Sequence, residues 1–469
     1  MPRLKPQFIF GDCSAGMITG VRAELCPPNS VELALNLDVD DVYGEARGRK
    51  GCTVLDSQIA GSADVTGLYQ FLNSAGNVSK LQAVVAGTIY HYTGGAWTDS
   101  GETGTDTKTR FITFLDEVAR LNGEDTVKTS TNGSSWGSSS VLDSNNFPEG
   151  KFGTVYKDQV ITAGVDGAPD TLYISSVPSA GSISWTSNNR SITINPEDGQ
   201  NITALGEIAG LLLVWKDKAM YTWNNRSTEA DEIIRVGCSS QESVTPCGNV
   251  LAFFNQQGVY LTSGSFPVLI SRSIQKWIDG MSASYYTEVS AFGNEKYLYV
   301  SIGDCTVDGI DYTNVVLKYS VNTQEWRVYS YADEFLIFAS YFDGSSYNIV
   351  GGSDASTILQ IESSSTTDNG TDIRFDLQSQ DLFFGSRGIE KEISERIMAY
   401  TENAQSLTQV KVDGGDWQTI GMSDKEVNNF GLTETITGNK IKFRCVGISK
   451  NRGHIQGLEI PKIETKDYN

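Results

Sequence analysis

The feature that most constrains the fold is a unit of short strand-like segments and tight turns that recurs along the chain. Leu251–Ser271, LAFFNQQGVYLTSGSFPVLIS, holds three apolar stretches separated by turns at Gly258 and Gly264. Short stretches rich in β-branched and aromatic residues and bounded by Gly, Asn and Ser predict strands, with no helix between them. Related units cover Leu68–Thr98, Arg110–Trp136, Gly153–Trp185, Ile202–Trp223, Glu288–Ser330 and Phe335–Ile361.

These units predict a β-propeller. Each holds three or four strands in roughly 35 to 60 residues, and repeats of this kind bury their faces by stacking on their neighbours. Within one unit, Tyr297 and Tyr299 alternate with Leu298 and Val300, which is typical of a sheet packed on both faces. We therefore expect an all-β chain with a β-propeller of about seven blades. The Trp near the end of many units is expected to pack between blades.

The repeat divides the chain into three parts. The propeller is expected to occupy residues 62–365. Residues 1–61 carry strand fragments such as VELALNLDVDD, which either wrap around a blade or complete the circle of blades. The polar run Ser363–Thr371, SSSTTDNGT, is the best candidate for a linker. Beyond it, alternating strands joined by Asp-Gly-Gly and Thr-Gly-Asn turns predict an appended C-terminal β-sandwich over residues 366–469.

The charge balance argues against a protein that wraps nucleic acid. The net charge is −21, from 57 acidic and 36 basic residues, whereas binding through counterion release needs clustered Lys and Arg. The densest basic stretch, ARGRKG at Ala46–Gly51, is interpreted as a solvated turn or a subunit contact. An acidic surface does suit the wall of a conduit through which DNA must pass without sticking, because like charges repel.

Cysteine usage and the first residues indicate a protein made in a reducing cytoplasm. The seven cysteines are widely spaced and form no C-x-x-C pair, so neither a zinc ribbon nor a redox motif is predicted. We expect free, buried thiols, although Cys238 and Cys247 could meet across a turn. The segment MPRLKPQFIFGDCSAG has too short an apolar patch for a signal peptide, and IAGLLLVW (Ile208–Trp215) is too short to span a bilayer.

No catalytic, cofactor-binding or metal-binding residue is predicted. His91 and His454 are the only histidines, and neither is flanked by a nucleophile motif. The segment Asn36–Glu45 loosely resembles a calcium loop, but the twelfth position from Asp38 is Arg49, where such a loop needs Glu. Glu197 and Asp198 are interpreted as members of a solvated loop. Glycoside hydrolysis needs only two well-spaced carboxylates, so composition leaves that chemistry open.

Several segments resemble the propeller-forming nozzle or tail-hub proteins of short-tailed bacteriophages, some of which are called packaged-DNA stabilisation proteins. The matching stretches are ALNLDVDDVYGEARGRKGC, LYISSVPSAGSISW, LLLVWKDKAMYTW, IIRVGCSSQESVTPCGNVLAFFNQQGVYLTSG and KVDGGDWQTIG. They cover most of the chain by the order and type of segment. Since they are strand cores and turns, the resemblance carries over no catalytic residue.

The resemblance implies a non-enzymatic virion protein, assembled in the host cytoplasm, that forms a ring of six copies below the portal and adaptor. Such a ring extends or closes the DNA channel and offers attachment surfaces for fibres or spikes, with no cofactor and no membrane span. Basic patches, RGRKG or Lys450–Arg452 for instance, would then meet a neighbouring acidic subunit. Two alternatives stay open: a carbohydrate-binding or glycoside-hydrolysing propeller, and a peptide-binding scaffold propeller, which the absence of Trp-Asp and kelch signatures disfavours.

Overall fold

The computed structural model describes residues 4–39, 44–59, 61–385 and 388–466. Five short strands precede the repeated units. Their bounds are β1 (Gln7–Ile9), β2 (Val31–Leu35), β3 (Leu37–Asp38), β4 (Ala46–Gly48) and β5 (Thr53–Val54).

Four antiparallel sheets follow in chain order. Blade 1 holds β6 (Val65–Leu72), β7 (Ser79–Val85), β8 (Thr88–Tyr92) and β9 (Trp97–Thr103). Blade 2 holds β10 (Arg110–Phe114), β11 (Glu117–Leu121) and β12 (Lys128–Ser130). Blade 3 holds β13 (Phe152–Tyr156), β14 (Gln159–Ala163), β15 (Thr171–Ile174) and β16 (Arg190–Thr193). Blade 4 holds β17 (Ile202–Ile208), β18 (Leu211–Lys216), β19 (Met220–Trp223) and β20 (Asp231–Ile234).

Three further sheets continue the series. Blade 5 holds β21 (Thr245–Cys247), β22 (Val250–Asn255), β23 (Gly258–Thr262) and β24 (Val268–Leu269). Blade 6 holds β25 (Ser290–Gly293), β26 (Tyr297–Val307), β27 (Ile310–Ser320) and β28 (Trp326–Ser330). Blade 7 holds β29 (Phe335–Phe342), β30 (Tyr347–Ser353) and β31 (Ile358–Ile361), and β5 from the N-terminal segment is its fourth strand.

The described residues thus form a closed seven-bladed β-propeller, as the sequence predicts. The first strand of a blade contacts the first strand of the next, except that β17 of blade 4 contacts β22 of blade 5, and β29 of blade 7 contacts β6 of blade 1. Pairing of Val54 with Leu359 adds β5 to the edge of blade 7 immediately before the chain enters blade 1. The two ends of the repeat are therefore joined by main-chain hydrogen bonds.

The faces of the blades pack as the alternation predicts. Leu298 and Val300 of β26 join one buried cluster, with residues of blade 5, while Tyr299 joins another, with residues of blade 7. Trp223 is 1% exposed and lies in the cluster shared by blades 3 and 4. Trp185 likewise packs with residues of blade 2. The tryptophans at the ends of these units therefore fill the space between sheets.

The C-terminal part is a β-sandwich. Its strands are β32 (Thr367–Asp368), β33 (Thr371–Asp372), β34 (Arg374–Ser379), β35 (Glu390–Ile393), β36 (Arg396–Val412), β37 (Gln418–Ser423), β38 (Val427–Gly431), β39 (Ile436–Gly438), β40 (Ile441–Ile460) and β41 (Glu464–Lys466). A large sheet runs in the order β34-β40-β36-β37, and β39-β35-β41 forms a small one. Apolar side chains of both sheets form one core, Ile393 and Phe443 among them.

The N-terminal strands lie mainly in this sandwich rather than around the propeller. β1 and β4 pair with β40, and β2 pairs with β34. β2 also meets β28 of blade 6 through Leu35 and Val328. A single 13-stranded sheet therefore runs from blade 6 into the C-terminal sandwich.

A group of buried charges, the ionic clamp, joins the propeller to these strands. Lys318 of β27 lies 2.9 Å from carboxylate oxygens of both Asp38 and Glu362, and Arg327 lies 2.5 Å from Asp38. Burial alone would lower the pKa of Lys318, but the surrounding tyrosines and carboxylates outweigh it and raise that pKa well above its ordinary value. The clamp therefore holds paired, hydrogen-bonded charges in the interior.

The interpretation of ARGRKG as a solvated turn or subunit contact is wrong for Arg49. Its side chain is fully buried, pairs with Asp368 at 2.5 Å, donates to Asn36 and lies 3.9 Å from the ring centroid of Tyr331. The partner lies 319 positions away in the sequence, within the segment expected to be a polar linker. That segment therefore anchors a buried ion pair, which local composition does not reveal.

Helix is scarce. α1 (Gln275–Asp279) is the α-helix of the described residues, and short 3-10 turns cover Ala23–Leu25, Pro196–Asp198, Gln241–Ser243, Ser271–Ile274 and Ala283–Tyr285. In the described ranges, no helix has both the length and the apolar character needed to cross a bilayer.

Candidate functional site

The topology gives the propeller two distinct faces. Because the strands of a blade are antiparallel, connections between successive blades and the turns between second and third strands emerge on one face. We call this the crossover face; its inter-blade segments are 61–64, 104–109, 147–151, 194–201, 235–244, 270–289 and 331–334. The opposite turn face carries the other turns, among them 73–78, 93–96, 157–158, 175–189, 224–230, 263–267 and 294–296.

The two faces differ in charge. Carboxylates are concentrated on the crossover face: Asp64, Asp106, Glu124, Asp125, Glu149, Asp166, Asp170, Glu197, Asp198, Asp217, Glu242, Asp279, Glu288, Asp308, Asp333, Glu334 and Asp354. Its cations are fewer: Lys108, Lys151, Lys218, Arg235, Arg272 and Lys276. On the turn face, segments 73–78, 93–96, 175–189 and 263–267 carry no charged residue. The acidic character of the propeller is therefore mainly a property of its crossover face.

The crossover face also holds the two largest cavities described here. One has a volume of about 770 Å³ and is lined by residues of blades 2 to 5, and the other has about 740 Å³ and is lined by blades 4 and 5. Both are bordered by Asp217, Ser239 and Thr287, so they form one continuous depression. We call it the crossover groove.

Ion pairs cross the propeller at one side of this groove. Arg110 of blade 2 lies 2.6 Å from Glu242, which precedes blade 5, and Lys108 lies 2.8 Å from Glu288, which precedes blade 6. Burial would raise the pKa of Glu242, but Arg110 and Lys108 outweigh it and hold this pKa below its ordinary value. These side chains therefore tie blades that are not neighbours in the circle.

A second group of carboxylates lies beside these ion pairs and forms no ion pair with another described residue. Burial, together with repulsion from Asp354, raises the pKa of Asp64, Asp333 and Glu334 above their ordinary values. Asp64 also lines a small cavity of about 110 Å³ with Lys108 and Glu242. This part of the crossover face therefore carries like charges that repel one another.

Glu242, the carboxylate of the groove that pairs with Arg110, is poorly suited to act as a general acid. A general acid needs a raised pKa, whereas the pKa of Glu242 is lowered. Phe152 is the aromatic residue lining the larger cavity, and the guanidinium of Arg110 covers its ring at 4.9 Å from the centroid. Across the described ranges, no three His, Cys, Asp or Glu side chains come together to hold a metal ion.

The two histidines line neither cavity of the groove and belong to different sheets. His91 of β8 is buried, and burial together with Lys80 lowers its pKa. His454 of β40 lies in the C-terminal sandwich, with Nδ1 2.5 Å from Glu45 and Nε2 3.0 Å from Glu402. Each ring is thus held within its own sheet.

Two of the carboxylates considered in the sequence analysis, Asp198 and Asp38, form ion pairs with buried cations. Asp198 lies 2.8 Å from Nζ of Lys216, whose side chain is fully buried, so the solvated-loop interpretation holds for the exposed Glu197 but is wrong for Asp198. Asp38 binds two buried cations of the clamp, which takes its oxygens away from any calcium site. Residues 40–43 of that calcium-like segment lie outside the described residues.

The basic patches considered as subunit contacts meet each other. Arg47 donates from Nε to the carbonyl of Arg452, and Arg452 donates from Nε to the carbonyl of Gly48. This places the RGRKG and Lys450–Arg452 segments side by side in one sheet.

Sequence reasoning missed the groove and its ion pairs. Lys108 and Arg110 are separated from Glu242 and Glu288 by most of the propeller, and only closure of the circle brings them together. The available signal was the position of these charges just before, or at the first residue of, the first strands of their blades. In a closed propeller, the segments before the first strands converge near the axis.

Comparisons with known proteins assign the chain to no family. No protein-family model matches the chain, and no curated protein matches it. A solved structure of YCF48 from Cyanidioschyzon merolae is similar with a TM-score of 0.43 and 11% identity, over 66% of this chain and 98% of that one. BBS1N, solved in complex with ARL6DN, is similar with a TM-score of 0.43 and 10% identity, over 67% of this chain and 96% of that one.

PorZ, a surface component of the type-IX secretion system of Porphyromonas gingivalis, gives a TM-score of 0.38 and 11% identity, over 80% of this chain and 46% of that one. Because these TM-scores and identities are low, the assignment of a β-propeller rests on the seven sheets of this chain and on their closure into a circle.

Proposed function

We propose that this chain is a structural, non-enzymatic subunit of a bacteriophage tail: a nozzle or hub protein that assembles into a ring, six-fold by resemblance, below the portal and adaptor. The observation that carries the proposal is the rigid union of propeller and sandwich. One sheet runs through both, and the ionic clamp fixes their junction. A subunit of a closed ring under pressure needs this kind of stiffness, and a propeller leaves few open sheet edges.

The charge distribution supports the same proposal. A net charge of −21 suits a wall past which DNA moves without binding, since like charges repel. In this role the chain meets portal or adaptor proteins on one side and fibre or spike proteins on another. Double-stranded DNA passes through the lumen without specific contacts, and no cofactor takes part.

Electron microscopy tests the proposal. The purified chain is mixed with the portal and adaptor proteins encoded beside it and imaged in negative stain and by cryo-EM. We expect rings with a central channel, with the propeller as a wedge in each subunit. A monodisperse monomer in the presence of the adaptor would count against the proposal.

One observation favours a second candidate, a carbohydrate-binding or glycoside-hydrolysing propeller. The crossover groove is large, polar and lined by several carboxylates. Hydrolysis would need a carboxyl group that stays protonated opposite a second carboxylate. A glycan array and a screen with chromogenic glycosides decide between the two, because binding or turnover that is lost in Glu149→Gln or Asp217→Asn would support the carbohydrate function.

A further inference from the structure

We infer that the crossover groove is a docking site for an extended, arginine- or lysine-bearing segment of a partner protein. The inference goes beyond the proposed function and does not depend on it, since it concerns what the groove recognises in any assembly.

The shape of the groove indicates an extended ligand. Two cavities of about 770 and 740 Å³ join at Asp217, Ser239 and Thr287, which makes a depression that runs across several blades. An elongated, open groove accepts an extended chain better than a compact small molecule. The half-buried Tyr286 lines its second half and supplies apolar surface beside polar atoms.

The charges in the groove indicate a cationic ligand. Glu124, Asp166 and Asp217 line the first half, are exposed, and make no ion pair among the described residues. Four cations line the groove as well: Arg110 is held by Glu242 at 2.6 Å and Arg235 by Glu232 at 3.3 Å, and Lys151 and Lys218 are outnumbered by the remaining carboxylates of the lining. The groove therefore keeps a surplus of carboxylates whose charge a cationic side chain would neutralise.

The contrast with the turn face indicates that a basic segment would prefer the crossover face. Long turns on that face have no charge, and its exposed acidic residues, such as Asp158, Glu229 and Glu295, stand near cations such as Lys157, Arg226 and Lys296 in the sequence. A basic segment is therefore attracted to the crossover face in particular. Asp354, whose negative charge helps to raise the pKa of Asp64, Asp333 and Glu334, adds to the negative charge of the same face.

The test uses the full chain and a fluorescein-labelled peptide of alternating arginine and serine. A length of about eight residues lets an extended peptide reach across both cavities at roughly 3.3 Å per residue. A peptide of alternating glutamate and serine serves as the charge control. Fluorescence anisotropy is measured at about 50, 150 and 500 mM salt. We expect binding of the arginine peptide that persists at about 150 mM and weakens at the highest salt.

Two matched variants locate the site. Glu124→Gln/Asp166→Asn/Asp217→Asn removes three charges from the groove, and Asp158→Asn/Glu229→Gln/Glu295→Gln removes three from the turn face. We expect the affinity to fall at least tenfold in the groove variant and less than twofold in the turn-face variant. All six residues are exposed, so both variants should fold, and circular dichroism with thermal melting checks this.

Hydrogen exchange gives an independent readout. The bound peptide should protect segments 194–201 and 235–244 and leave 175–189 unchanged. Equal losses of affinity in the two variants would mean attraction to net charge alone and would overturn the inference. So would protection of the turn face, or the absence of binding at about 150 mM salt.

Discussion

Lys318 and Asp38 lie 2.9 Å apart, Nζ to Oδ2, with side chains only 2% and 6% exposed, although they belong to different parts of the chain. Lys318 is in blade 6, and Asp38 is in a short strand that belongs to the same sheet as the C-terminal sandwich. Arg327, Glu362 and Glu325, which pairs with Arg327, also belong to the group. The junction between propeller and sandwich thus depends on buried charges that are mutually neutralised.

Removing Asp38 should destabilise the fold strongly. Asp38→Ala removes the buried carboxylate that pairs with Lys318 and Arg327. Removing one partner of a buried ion pair costs about 3–5 kcal/mol. We expect a loss of this size in the free energy of unfolding from urea titrations monitored by tryptophan fluorescence.

An exposed pair supplies the control for this prediction. Lys276 and Asp308 are 2.8 Å apart with side chains 36% and 59% exposed, and Asn tolerates the left-handed φ of +50° at Asp308, so Asp308→Asn should cost less than about 1 kcal/mol. If Asp38→Ala were as mild as Asp308→Asn, the clamp would not hold the two parts together.

The ion pairs across the propeller should make stability depend on pH. Arg110 and Lys108 hold the pKa of Glu242 below its ordinary value despite burial, so its charge stabilises the folded state above the unfolded pKa of about 4.3. This stabilisation is lost as the pH falls through the lower, folded pKa. We expect Glu242→Gln to lose about 2 kcal/mol at pH 7, and its difference from the wild type to shrink as the pH falls below the unfolded pKa.

The measurement is a series of urea titrations between about pH 3 and 8. Glu229→Gln, on the turn face, is the control, because Glu229 is exposed and makes no ion pair within the described ranges. A difference between wild type and Glu242→Gln that stays constant down to the lowest pH would refute the role of the charge.

Sequence reasoning recovers the propeller because its signals are local. Strand alternation such as Leu298 and Val300 against Tyr297 and Tyr299, and glycine turns such as Gly258, recur in every blade and can be counted. The path of residues 1–61 could not be recovered in this way. Which sheet β1 and β4 join depends on β40, hundreds of residues later.

The candidate site was harder to predict from the sequence, because its contacts also join residues that are distant along the chain. Arg49, Asp38 and Asp198 looked like solvated or metal-binding residues because their neighbours in sequence are polar. Their true partners, Asp368, Lys318 and Lys216, become apparent only after the sheets are assembled. The crossover groove likewise exists only in the closed circle of blades.

Gly258 should tolerate no side chain. Its φ of +137° disfavours other residues, and an added Cβ would meet the Oγ of buried Ser271 at 2.1 Å. We expect Gly258→Ala to cost about 2–4 kcal/mol by chemical denaturation. At Gly76, φ is +68° but nothing lies within 4 Å of an added Cβ, so Gly76→Ala should cost only about 1–2 kcal/mol.

A double variant separates the clash from the backbone strain. Ser271→Gly removes the obstructing atom but also the hydroxyl that accepts a hydrogen bond from the Val259 amide. The cost of Gly258→Ala/Ser271→Gly should therefore be smaller than the sum of the two single costs. Strict additivity would show that the clash contributes nothing.

The thiols should differ sharply in reactivity. All seven cysteines are free, and six of them are at most 4% exposed, whereas Cys26 is half-buried. Burial raises the pKa of Cys238 to about 11 and of Cys13 to about 12, so these thiols are both shielded and protonated at neutral pH. We expect Ellman's reagent to modify one thiol quickly in the native protein and all seven in denaturant. Cys26→Ser should abolish the fast reaction and leave the slow ones unchanged, whereas several fast thiols in the native chain would mean that the sheets open far more readily than their packing implies.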